Sequence, residues 1–162
     1  MVFLIYYIQT MAIGRRKSII NYLVEQLTNI NGGTSTYDNA YTYVTNVNNN
    51  VYRQLKFLDE VNDYPALYLQ ADYETRIYES DQLTHGSLPI VIRCYVNSED
   101  SKDELDNLSN DIEHVLYNLP SAVHIGIIDI IIDRISSDEG LLTPYGIGEI
   151  FITVHYELDK GD

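Results

Sequence analysis

Apart from carboxylates, this chain has few of the side chains that do most protein chemistry. It has four histidines (His85, His114, His124 and His155) and one cysteine, Cys94. The histidines show neither H-x-x-x-H nor H-E-x-x-H spacing and have no cysteine partners, so they match no common zinc motif. We expect structural roles for all four, with His124 and His155 at most cross-strand neighbours, and no metal ion or other cofactor.

Paired carboxylates are the remaining candidates for catalysis. Asp129 and Asp133 fall on one face of a predicted strand but about 13 Å apart, too far to share one ion without other ligands. Asp129 and Glu157 face each other if the last two strands pair there, and paired acids support general acid–base hydrolysis. Because the chain has 24 acidic residues, such pairs arise by coincidence. We expect no enzymatic activity, and a small acidic hydrolase is the alternative.

Two smaller features also favour structural roles. Gly146-Ile147-Gly148 leads into a predicted strand and not into a helix, so it lacks the context of a phosphate-binding loop and predicts a turn. The single cysteine, Cys94, forms no internal disulfide, and its predicted inward position favours an inert thiol.

The composition indicates a folded, acidic protein. Its 162 residues are expected to form one domain, and 10 basic against 24 acidic residues give a net charge of -14. This balance argues against a protein that grips nucleic acid, since phosphate binding needs a positive surface. The 15 tyrosines suit surfaces that become buried on assembly, although drift in an AT-rich genome explains them equally well.

The N-terminal apolar run Val2–Ile8 is too short for a membrane span, which needs about 20 residues. Its basic residues follow it, unlike those of a signal peptide. We interpret residues 1–12 as an arm or extension and residues 13–162 as a single domain.

Two amphipathic helices are predicted. The first covers 14–30, with its apolar face at Ile19, Leu23 and Leu27 and its end at Asn31-Gly32-Gly33. The basic triplet in its first turn opposes the helix dipole, which indicates either an external anionic contact or a solvated turn. The second helix covers 101–119, with a capping box from Ser101 to Glu104 and a polar face that includes Asp106 and Asp111.

Several segments have strand patterns. Tyr41 to Val47 alternates as a half-buried strand, 66–70 is a short strand after Pro65, and 88–96 and 149–158 are longer ones. Asp72–Ser87 is interpreted as a long excursion, with a hairpin arm at 74–78. A turn-rich connector covers 136–148.

The segment Ala122–Ile135 contains seven isoleucines and is predicted to be one long strand around which the fold is organised. Strict alternation would place Ile127, Asp129 and Asp133 on one face and Ile130 and Arg134 on the other. Because both faces are apolar at the centre, we expect this strand to be covered by helices on one side and by helices or another subunit on the other.

The order of elements predicts a two-layer α+β fold, with two main helices on one face of a mostly antiparallel sheet. The last two strands should pair as neighbours. The second face of the sheet would then be an isoleucine-rich surface, which a ring of identical subunits would bury.

Several motifs, in this order, resemble the tail terminator proteins of long-tailed phages. The first helix begins R-R-K-S-I-I-N-Y-L-V and ends at N-G-G, and D-Y-P-A-L-Y-L is followed by an acidic turn and Arg76. The second helix carries N-D-I-E-H-V-L, and the tail reads S-D-E-G-L-L-T-P-Y-G-I-G-E-I-F-I-T-V-H-Y. The resemblance covers residues 13 to 158.

The resemblance implies a structural role in the virion, at the head–tail junction, after assembly in the host cytoplasm. It implies a homohexameric ring on the head-proximal end of the tail tube, which stops tube polymerisation and joins the tube protein to head connector or neck proteins. DNA would pass through without specific binding, and no membrane is involved. Two alternatives to a tail terminator remain: another neck or head-completion protein of the same particle, and a soluble binding module that uses its tyrosine-rich surface.

Candidate assembly contacts come from the basic turn, the excursion at 72–87, the isoleucine-rich strand and the connector at 140–148. These residues are Arg15, Arg16, Lys17, Tyr73, Arg76, Tyr78, Asp129, Asp133 and Tyr145.

Overall fold

The computed structural model describes residues 14–79, 83–119 and 125–159. Over these residues the helices are α1 (Arg15–Leu27) and α2 (Ser101–Tyr117). The strands are β1 (Val51–Tyr52), β2 (Ala66–Ala71), β3 (Thr75–Tyr78), β4 (Leu83–Asn97), β5 (Ile127–Ser137) and β6 (Tyr145–Asp159). A 3₁₀ turn at Leu58–Glu60 lies between β1 and β2.

The strands form one six-stranded sheet in the order β1-β2-β4-β6-β5, with β3 paired to β4 beside β2. All pairs are antiparallel except the short β1–β2 pair. Both helices belong to the main hydrophobic core with β4 and β6. This arrangement confirms the predicted α+β class, and it confirms that the last two strands are neighbours.

The core lies between the helices and the centre of the sheet. Strands β4 and β6 run alongside each other over 15 residues each, so they form the middle of the fold. Their inward side chains alternate as expected for half-buried strands, and the fully buried ones include Ile90, Ile92, Ile150 and Ile152.

The G-x-G sequence lies inside β6 and not in a turn, so the prediction of a turn there is wrong. A Cβ at Gly146 would lie 2.8 Å from Val96 and 2.9 Å from Leu105 of α2. Glycine is therefore needed at this position because α2 packs directly against the strand backbone.

Strand β5 is the edge of the sheet, so the prediction that the fold is organised around it is wrong. It begins at Ile127, after a turn in which Gly126 has φ +75°, and not at Ala122. Bulges between Ile127 and Asp129 and between Ile132 and Arg134 interrupt its alternation. As a consequence, Ile127 faces the helices and packs on the main core, as Ile132 does. It does not share a face with Asp129, as strict alternation predicts.

The second face of the sheet is not an isoleucine-rich surface. On β4 and β6 it carries an Arg93–Glu149 cross-strand ion pair, and the Arg134 guanidinium lies 4.0 Å above the Phe151 ring. At one end, the chain around the 3₁₀ turn covers this face through a small cluster of Val61, Ala66, Tyr68 and Tyr95. Among the described residues, three exposed isoleucines (Ile128, Ile131 and Ile135) lie on the edge strand β5, and a fourth, Ile77, lies on β3.

The segment 41–47 is a loop with isolated bridges and not the predicted strand. Its burial still alternates, with Tyr43, Thr45 and Val47 buried, because the loop is held against α2. Asp111, predicted to be on the solvent side of α2, is fully buried beneath this loop. The predicted capping box at Ser101 is also wrong, since Asp100 caps α2 by accepting from the Asp103 N–H.

The excursion at 72–87 contains the predicted hairpin. Its first arm is β3, and its second arm is the start of β4, which therefore begins at Leu83 and not near 88. The proposed N-terminal arm at 1–12, Pro120 as a helix stop, and His124 all lie outside the described residues.

Candidate assembly surfaces

Glu74 is the centre of a charged cluster at the corner between β2 and β3. Its carboxylate pairs with Arg76 at 2.9 Å and lies 3.7 Å from Arg16. It also accepts a hydrogen bond from the Tyr156 hydroxyl of β6. The largely buried Glu74 carboxylate therefore connects three separate parts of the chain: helix α1, the hairpin and strand β6.

The protonation of this cluster follows from its contacts. Burial alone would raise the pKa of Glu74, but the Tyr156 hydroxyl and the two guanidinium groups outweigh it, and the net effect lowers that pKa. Burial, with the adjacent Glu74 carboxylate, raises the pKa of Tyr156 to about 12. The carboxylate is therefore ionised and the phenol neutral at neutral pH, so the phenol remains the donor.

The basic first turn of α1 is tied down in part by the protein itself. Arg16 donates to the backbone carbonyls of Ala71 and Asp72 at 3.0 and 2.9 Å, and Arg15 is half-buried. Lys17 is exposed, and the ion pairs formed among the described residues do not include it. Arg16 and Lys17 are thus both exposed, but Arg16 is held by contacts within the chain.

The hairpin presents a tyrosine-rich surface beside this cluster. Tyr73, Ile77 and Tyr78 are exposed to 83, 67 and 75 %, and β3 pairs only with β4 in the described chain. Large exposed apolar side chains grouped on and beside an edge strand are unusual on a monomeric surface. The structure thus brings the predicted contacts Tyr73, Arg76 and Tyr78 together with Arg16.

A second candidate surface lies on the opposite edge of the sheet, along β5. Asp129 and Asp133 are exposed there. Asp129 accepts from the Ile130 N–H, and Asp133 accepts from the Thr153 hydroxyl at 2.6 Å. Neither carboxylate belongs to an ion pair among the described residues. These two predicted contacts are therefore separate from the hairpin group.

Tyr145 belongs to neither surface. It begins β6 opposite Asn97, and its ring lies 5.9 Å from the ring of Tyr64. It is 39 % exposed at the end of the sheet farthest from the hairpin.

The arrangement does not favour the hydrolase alternative. Asp129 is paired with His155 across the β5–β6 ladder and does not face Glu157. The Glu157 carboxylate instead lies 3.3 Å from the ring of His85. Burial raises the pKa of the Cys94 thiol to about 12, which leaves that sulfur un-ionised and inaccessible. Within 14–79, 83–119 and 125–159, no three His, Cys, Asp or Glu side chains are grouped to hold a metal ion.

The sequence did not predict a basic groove that lies between α1 and the end of β2. It has a volume of about 450 Å³, an apolar floor that includes Ile20 and Leu69, and Lys17 and Arg53 at its rim. Arg53 is an isolated basic residue in a polar stretch of sequence. The residues around it do not predict that it lies beside α1 in this groove. None of the helices in the described part of the chain is long and apolar enough to cross a membrane.

Comparison with known proteins gives two concordant matches. The family model described as Bacteriophage Tail Tube Terminator Protein matches residues 13–161. The tail tube terminator protein p142 of Escherichia phage T5 is 29% identical over 155 residues, which cover 88% of this chain and 93% of that protein.

Proposed function

The chain belongs to the bacteriophage tail tube terminator protein family, and from that membership we propose that it forms a ring that caps the head-proximal end of the tail tube. The family is one of structural phage tail proteins and not of enzymes, and a tail protein is a component of the virion. In this proposal the ring stops tube polymerisation and provides the surface that joins the tail to the head. The family match over residues 13–161 is the observation that carries it.

The two candidate surfaces support a ring. They lie on opposite edges of one sheet, so a contact between the β5 side of one copy and the β2–β3 side of the next would be heterologous. Heterologous contacts build closed rings when the rotation between copies closes. A hexamer is the expected ring size, by resemblance to the family.

The charge of the chain agrees with DNA passage through the ring. A net charge of -14 repels phosphate, so a duplex could slide through the opening without being held. The proposed partners are further copies of this chain, the tail tube protein and the head connector or neck proteins. The hairpin at 72–87 and the connector at 140–148 are the proposed contacts with the tube and the head.

Negative-stain microscopy of a lysate from phage with this gene disrupted tests the proposal. We expect abnormally long tails without heads, beside unattached heads filled with DNA. Supplying the intact gene in trans should restore normal tail length. Tails of normal length beside unattached or leaking heads would instead assign the protein to the neck, and normal infectious particles would refute a structural role.

A further inference from the structure

We propose that the N-terminal segment Val2–Ile8 adds as a strand to the open edge of β3 in the same chain. The segment precedes the described residues, which begin at Gly14. The sheet then gains one strand beside the tyrosine-rich hairpin. This inference concerns the single chain and does not rest on the proposed ring.

Strand β3 has an open backbone edge. The Glu79 N–H donates to the Leu83 carbonyl at 3.2 Å, at the end of the β3–β4 ladder. Hydrogen-bonded pairs occur at every second residue of an antiparallel ladder, so the N–H and C=O groups of Arg76 and Tyr78 point away from β4. Within the described chain, these outward groups have no hydrogen-bond partner. The edge can therefore accept a further strand.

Apolar side chains flank this edge on both faces of the sheet. Following the strand pairs, Ile77 lies on the face away from the helices and Tyr78 lies on the helix face. Both are largely exposed. In Val2–Ile8 both alternating sets of residues are apolar, and none of them is charged. As a strand, the segment therefore covers Ile77 with one set and Tyr78 with the other.

The segment is attached close to this edge. Gly14 lines the same groove as Ala71, and Arg16 donates to the Ala71 carbonyl at 3.0 Å. Strand β3 begins only four residues after Ala71, which is at most about 13 Å along an extended chain. Residues 9–13 span up to about 16 Å when extended. The segment therefore reaches the near end of β3 while α1 stays in place.

The direction of the chain also agrees with this contact. Strand β3 runs away from Ala71, at the end of β2. The segment has to run back toward Gly14, which lies beside Ala71. The two strands are therefore antiparallel, which is the slightly more stable arrangement for each residue paired.

A second copy of the chain is a weaker candidate for this edge. Strand β3 has only four residues, whereas a stable interface between proteins buries about 1,200–2,000 Å². A tethered segment needs no such area, because its attachment keeps it at an effective concentration of about millimolar. The short edge thus favours the chain's own segment.

Amide hydrogen exchange followed by NMR tests the contact on the full chain and on a chain that lacks residues 2–8. In the full chain, the outward amides of Arg76 and Tyr78 should be protected. The deletion should speed their exchange by at least about tenfold. The amides of Thr75 and Ile77 bond to β4 and should change little, so they are controls within the same strand.

A second pair of variants keeps the length of the chain. Ile5→Asp with Ile8→Asp places two charges in the segment and should speed exchange of the same two outward amides. Gln9→Asp with Thr10→Asp adds the same charge just after the segment and should leave their protection intact. Circular dichroism checks that each variant is folded.

Three outcomes would overturn the proposal. They are rapid exchange of Arg76 and Tyr78 in the full chain, protection that survives the deletion, and protection that rises with protein concentration. The last outcome would assign the segment to a neighbouring copy. The terminator function is judged separately, because tail length after gene disruption does not depend on these amides.

Discussion

Replacing Asp111 with alanine tests how the loop at 28–50 is held on the helical layer. The Asp111 carboxylate is fully buried and accepts from the Thr45 N–H at 2.7 Å, the Thr45 hydroxyl at 2.6 Å and the Tyr41 hydroxyl at 2.8 Å. The Val44 N–H adds a longer bond at 3.3 Å. Alanine removes every one of these acceptors at once.

The expected loss follows from what remains buried. Each buried donor left without an acceptor costs about 1–3 kcal/mol. The Thr45 N–H keeps no acceptor in the variant, and the Tyr41 hydroxyl can turn to solvent because Tyr41 is only half-buried. Removing a carboxylate that was costly to bury offsets part of the loss. We therefore expect a decrease in the free energy of unfolding of about 2–4 kcal/mol, and a lower Tm by roughly 6–12 °C.

Urea and thermal denaturation followed by circular dichroism measure the effect. Asp106→Ala is the matched control, because Asp106 is exposed on the same helix and its loss should change stability by no more than about 0.5 kcal/mol. Asp111→Asn should lie between the two, since the amide retains one acceptor. Equal stability of Asp111→Ala and the control would refute the assignment of Asp111 as the anchor of this loop.

Three further substitutions or treatments probe the sheet and its charged corner. Gly86→Ala should destabilise the fold by about 1–3 kcal/mol, because its Cβ would lie 2.0 Å from the Tyr156 ring; urea midpoints against the wild type measure this. The lowered pKa of Glu74 means that its stabilising contribution is present above the ordinary carboxyl value of 4.5 and is lost as pH falls through the lowered pKa. Glu74→Gln should therefore be less stable than the wild type at pH 7 and approach it at pH 3, and an unchanged difference would contradict the linkage. Cys94 is fully buried and burial raises the pKa of its thiol to about 12, so a thiol reagent at pH 8 should label it only at the rate of unfolding, and rapid labelling of the native protein would refute this.

Much of the layer architecture could be predicted because it depends on short-range patterns. The alternation from Leu88 to Val96 and the apolar stripe of the second helix identify buried faces directly, and the structure confirms both. Asp111 could not be predicted in the same way. A carboxylate on the polar side of a helix is expected to face water, and only the fold of a distant loop supplies the donors that make its burial favourable.

The β5 strand shows why the candidate surfaces were harder to predict than the layers. Its isoleucine content correctly indicates a strand, but composition does not distinguish a central strand from an edge strand that another subunit covers. Two bulges then decide which side chains face the helices, and a bulge depends on pairing with β6 and not on local propensity. Seven isoleucines in one segment suggest burial on both faces, whereas in this monomer three of them are exposed at the edge. Their exposure is therefore decided by the position of β5 at the end of the sheet and by its two bulges, neither of which is encoded in the local composition.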